Sequence, residues 1–122
     1  MGIDIYLRWP EMTPDEKQRQ ICGYSTRHGH VGYLREAYHG HPCATRVLVP
    51  EAFNDRGDGI EIPAAVLRER LPRVLDVVKL RSLAVYGEDA PADALQAFDD
   101  FVRLAEEKEA HCGRPCTVQA SY

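Results

Sequence analysis

The chain has 122 residues, 44% of them hydrophobic and 28% charged, which is one domain's worth of globular sequence and enough for one modest core. A net charge of −4 with histidine neutral argues against non-specific nucleic-acid binding, because phosphate contact needs a surplus of Lys and Arg. The longest apolar runs are of the kind Leu83-Ala84-Val85-Tyr86, too short to cross a membrane, and Asp4 and Arg8 interrupt any apolar leader, so a soluble cytoplasmic protein is expected.

Ile3, Ile5, Leu7 and Trp9 alternate with Asp4, Tyr6 and Arg8, the period-2 pattern of a strand with one buried face, and Pro10 ends it. Thr13-Pro14-Asp15-Glu16 then opens a short helix. Thr13 can cap the amide three residues on, Pro14 suits the first helical position, and Glu16 can reach back to close a capping box. Gly23 ends that helix.

Periodicity breaks down from residue 23 to about residue 42. Within it, residues 31–38 read as a strand or a helical turn, the strand being preferred. Residues 45–49 (Thr-Arg-Val-Leu-Val) read as a better one, stopped by Pro50, and residues 54–59 read as a turn. From Pro63 to Tyr86 the pattern is helical, with Leu67, Leu71, Val74, Leu75, Val78 and Val85 on one stripe. Pro72 inside it predicts a kink or two abutting helices. Pro91 opens a second long helix over about 92–111, closed by Gly113 and Pro115. The tail from Cys116 to Tyr122 alternates again and needs a partner strand, which the first strand can supply.

These elements make a single α+β domain spanning 1–122. The sheet is small and mostly antiparallel, its N- and C-terminal strands are adjacent, and two long helices cover one face. The first long helix is rich in Arg and Lys and the second in Asp and Glu. They are expected to pack as an antiparallel pair with favourable edge charges; the alternative is self-association, giving a homodimer or other homo-oligomer.

Four of the five histidines, His28, His30, His39 and His41, lie within 14 residues of one another. Arg27, Tyr33, Arg35, Glu36 and Tyr38 are interleaved with them. Such a Tyr/His/Arg surface on a Gly-rich segment suits a small polar ligand or a protein partner. The paired histidines, with Cys43 after the second pair, also form a ligand pool for zinc. Two residues at i, i+2 on a strand share a face, and imidazole and thiolate suit that ion, although the spacing matches no standard zinc motif. Glu36 would then be a candidate general base. Cys43 beside His39 or His41 could instead form a nucleophilic pair, against the plainer reading of a half-buried thiol. His111, Cys112 and Cys116 read as a helix end and a small buried thiol. All four cysteines are expected to be reduced.

The opening Met1-Gly2-Ile3-Asp4-Ile5-Tyr6, and Gly32-Tyr33-Leu34-Arg35-Glu36-Ala37-Tyr38-His39-Gly40 within the segment 23–53, resemble a group of short uncharacterised bacterial and phage-type proteins. The resemblance implies a soluble prokaryotic protein and implies no activity, cofactor or catalytic residue. The leading expectation is a non-enzymatic binding or regulatory module that uses the 27–42 surface. The alternative is a zinc-dependent hydrolytic enzyme built on the His/Cys pool.

Overall fold

The structure is a computed structural model that describes residues 2–22, 31–37, 43–54 and 56–122. Strand β1 (Gly2–Arg8) is followed by helix α1 (Pro14–Cys22), strand β2 (Tyr33–Ala37) and helix α2 (Ala44–Leu48). After a 3-10 turn at Pro50–Ala52 come the two-residue strand β3 (Ile60–Glu61), the long helices α3 (Ala64–Tyr86) and α4 (Ala92–Cys112), and strand β4 (Thr117–Ser121).

The strands form one antiparallel sheet in the order β2-β1-β4-β3, with the terminal strands adjacent. Alternation decides which side is buried. Ile3, Ile5 and Leu7 of β1 and Val118 and Ala120 of β4 point into the core. There they meet Leu67, Val74, Phe98, Phe101 and Val102 of the two long helices. Asp4, Tyr6 and Arg8 take the other face, opposite Arg35 and Tyr33 of β2.

Helix α1 begins with the capping box its sequence encodes. The Glu16 amide donates to Thr13 Oγ1 (3.1 Å), and the Thr13 amide donates to Glu16 Oε1 (2.9 Å). Gln20, 1% exposed, fastens this helix to the sheet. Its Nε2 donates to the carbonyls of Leu7 (2.8 Å), Val31 (2.9 Å) and Gly32 (3.1 Å). Gly32 lies at φ +78°, and a Cβ there would sit 2.5 Å from Gln20 Nε2, so only glycine fits.

The long helices run antiparallel. The Ala64 amide meets Glu109 at one end, and Arg68 bridges Glu106 (2.6 Å) and Asp99 (2.9 Å) further along. The opposite charges of the two helices are thus spent partly within the molecule. Helix α3 is continuous through Pro72, so two abutting helices do not form. The proline lies on the exposed side, where the hydrogen bond it removes is lost to solvent rather than to the core. Gly87 in the left-handed region ends α3.

Residues 45–49 are not a strand. Residues 45–48 belong to α2 and Val49 caps its end; this is a single turn that the β-branched residues Thr45 and Val47 would not choose by propensity. The Glu36 carboxylate holds it: Oε2 accepts from the Ala44 amide (2.8 Å), and Oε1 accepts from the Thr45 amide (3.0 Å) and the Thr45 hydroxyl (2.6 Å). A charged acceptor at the first amides of a helix supplies the cap that Cys43, at the N-cap position, does not. The helix packs on α3, and Arg70 of α3 donates to the Leu48 carbonyl (2.9 Å) at its far end.

Candidate functional site

Of the residues singled out in the sequence, Arg27, His28, His30, Tyr38, His39 and His41 lie outside the described residues. Tyr33, Arg35, Glu36 and Cys43 lie within them.

Tyr33 is buried on the outer face of the sheet. Its ring stacks on Tyr6 with centroids 5.4 Å apart, and its hydroxyl donates to Asp4 (2.6 Å). Burial first, then that hydrogen bond, push the phenol up to about 12. Arg35 grips the same Asp4 carboxylate with Nη1 (2.9 and 3.2 Å). Tyr33 is therefore part of the sheet's own packing. Arg35, on the edge strand, also borders the cleft described below.

Cys43 is 2% exposed. Burial, and then the neighbouring Glu36 carboxylate, raise its thiol pKa against the smaller opposing effects of Arg46 and Arg81. A nucleophilic cysteine needs the reverse, an accessible thiolate in electropositive surroundings. Glu36 is equally committed, with three donors on its two oxygens. Among the described residues no three His, Cys, Asp or Glu side chains come together as a metal site. Cys116 is a buried thiol whose pKa burial lifts to about 11, and Cys112 is partly accessible at the end of α4.

The concave feature that gathers chemistry is a cleft of about 220 Å³ between the end of β2 and the turn joining α3 to α4. Its walls are mainly apolar: Val78 and Val85 from α3, Phe98 and Ala94 from α4. Arg35 and Glu36 stand on the strand side, and Arg81, Ser82 and Tyr86 on the α3 side. Two of the expected residues, Arg35 and Glu36, thus meet at a site whose other members were not singled out. One sequence signal was present. A helix that buries one stripe is polar on the opposite one, yet the last two turns of α3 carry Val78, Leu80, Leu83, Val85 and Tyr86 around the whole circumference, four of them exposed.

The α3 wall is also where charge is left over. Arg68 and Arg70 are tied to carboxylates, Arg70 bidentately to Glu51 (2.8 and 2.7 Å). Arg81, half-buried at the cleft, makes no hydrogen bond or ion pair among the described residues. Compared with models of protein families, with curated proteins and with solved structures, the chain matches none.

Proposed function

We propose that the chain is a non-enzymatic binding module and that the cleft between β2 and the α3–α4 turn is its site. The observation that carries this reading is the cleft itself: apolar walls with a few polar groups at the rim, the usual make-up of a ligand pocket. At about 220 Å³ it is smaller than the roughly 300–1,000 Å³ of sites that enclose drug-sized molecules. It suits a small ligand or one anchoring side chain of a protein partner. The burial of Cys43 and the engagement of Glu36 favour binding over catalysis.

Mapping a small-fragment library by amide chemical shifts tests this. Saturable shifts should cluster at residues 35–37, 78–86 and 90–98, and Ala94→Leu, which narrows the cleft, should remove them. Shifts that cluster elsewhere, or that survive the filling variant, would count against the site.

The same proposal includes self-association. Leu80 and Leu83 are 64% and 50% exposed on α3. If α3 packs antiparallel on a second copy about a twofold axis, Leu80 meets Leu83, and Arg73 comes opposite Glu88 and Asp89, none of which is paired among the described residues. Leu83→Glu should then lower the weight-average mass in sedimentation equilibrium. A native protein that is monomeric at about 100 µM would remove the homodimer from the proposal.

A prokaryotic cytoplasm is the proposed setting, supported by the unbridged thiols of Cys112 and Cys116. No helix among the described residues is long and apolar enough to cross a membrane. The zinc-hydrolase alternative draws four of its five ligands from outside the described residues. Stoichiometric zinc in the purified protein, lost in the His39→Ala/His41→Ala variant, would favour it.

A further inference from the structure

Three features of the cleft point to the charge of its ligand. The first is Ser82. It is 9% exposed, it lines the cleft, and its hydroxyl has no hydrogen-bond partner among the described residues. A serine hydroxyl with no internal partner can donate to whatever fills the cavity it lines. The second is Arg81, one residue earlier on α3, which lines the same cleft and has no carboxylate partner among the described residues. A planar guanidinium is suited to bidentate recognition of a carboxylate or phosphate. The third is the N-terminus of α4, a helix of 21 residues. Pro91 and Ala94 line the cleft there, and no side chain caps the helix. The positive end of the helix dipole adds to the Arg81 charge.

Two carboxylates oppose this. Asp93 sits in the first turn of α4. Glu36 borders the cleft and keeps its charge, but its oxygens are engaged by two amides and a hydroxyl of α2 rather than by Arg81.

Resting on the reading of the cleft as the binding site, we propose that it takes a small organic monoanion, a carboxylate on a single ring or short branched chain. The carboxylate lies against Arg81 and the Ser82 hydroxyl, and the apolar body lies against Val78, Val85 and Phe98. The volume excludes a large lipid or a nucleotide held whole. The apolar walls disfavour inorganic phosphate, which has no body to bury.

Benzoate and its neutral isostere benzamide are the probes, titrated into the full chain at constant ionic strength and followed by amide chemical shifts. The variants are Arg81→Met, Ser82→Ala and, as a control on α1 remote from the cleft, Arg19→Met. A dispersed spectrum shows that each is folded. Benzoate should give saturable shifts at residues 81–86 and 90–94 and bind at least tenfold more tightly than benzamide. Arg81→Met should abolish that preference, Ser82→Ala should reduce it, and Arg19→Met should leave it intact. Equal binding of the two probes, or a preference that survives Arg81→Met, overturns the monoanion and leaves the cleft standing as an apolar site. Absence of saturable shifts at the cleft with either probe overturns the site as well.

Discussion

Removing the Glu36 side chain tests the contact that decides the local fold. In Glu36→Ala the amides of Ala44 and Thr45 and the Thr45 hydroxyl all lose their acceptor in a partly buried place. Deleting an N-cap acceptor costs about 1 kcal/mol, and hydrogen bonds to charged groups are worth about 1.5–3 kcal/mol each. The three bonds share one carboxylate and do not add. A loss of about 2–3 kcal/mol is therefore expected, because a five-residue helix cannot persist on its own propensity. In urea, with a slope of about 1–3 kcal/mol per molar, the midpoint should fall by about 1–2 M with the slope unchanged. Glu36→Gln is a finer probe. Its remaining carbonyl can keep both bonds to Thr45, but its amide then faces the Ala44 N–H, so about 1–2 kcal/mol should be lost. Hydrogen exchange at the amides of residues 45–48 should accelerate in both variants. A stability within about 0.5 kcal/mol of the native chain for Glu36→Ala would refute the reasoning, since surface substitutions away from such contacts fall in that range.

Other outcomes follow from the same geometry. Gly32→Ala should cost about 2 kcal/mol or more in urea unfolding, because it forces a left-handed backbone and pushes the Gln20 amide off three carbonyls; a silent variant would mean that the turn can relax. The Arg70 hydrogen bonds are the main cause holding Glu51 below its ordinary 4.5, so the folded pKa is depressed. That contribution is present above pH 4.5 and lost as pH falls through the folded value, and in Arg70→Met stability should decline less steeply with acid across that window. With Cys43 and Cys116 buried and their thiol pKa values raised, alkylation at about pH 8 should modify Cys112 well before either of them, as peptide mass mapping would show. Fast labelling of Cys43 would instead revive its claim to be a nucleophile.

Much of the frame was legible because it rests on local pattern. The alternation of Ile3, Ile5 and Leu7, the Thr13–Glu16 capping box and the stripes of the two long helices each state their outcome within a few residues. The strand near residue 35 and the pairing of first and last strands followed from the need to bury one face and satisfy one edge. Where pattern failed, a tertiary contact had the deciding energy. Thr-Arg-Val-Leu-Val has strand propensity, worth at most about 1 kcal/mol per position, and the carboxylate eight residues upstream outweighs it. Strand β3 has two exposed residues, too few to show any period.

The site was less legible for a different reason. Arg81 and Ser82 are ordinary residues in a helix, and their interest lies in what does not pair with them in space. The sequence shows twelve arginines with equal standing. Only the fold shows that Arg35, Arg68, Arg70 and Arg114 are held by carboxylates while Arg81 has none among the described residues. Glu36 joins the two stories. Had it stayed free at the rim of the cleft, it would have answered the Arg81 charge and left little pull on an anion. Drawn instead into the amides of α2, its oxygens build the neighbouring helix rather than pairing with Arg81. Glu36→Gln should therefore weaken the fold while leaving any preference of the cleft for benzoate over benzamide unchanged, whereas a carboxylate that itself neutralised the site would show a preference that rises on its removal.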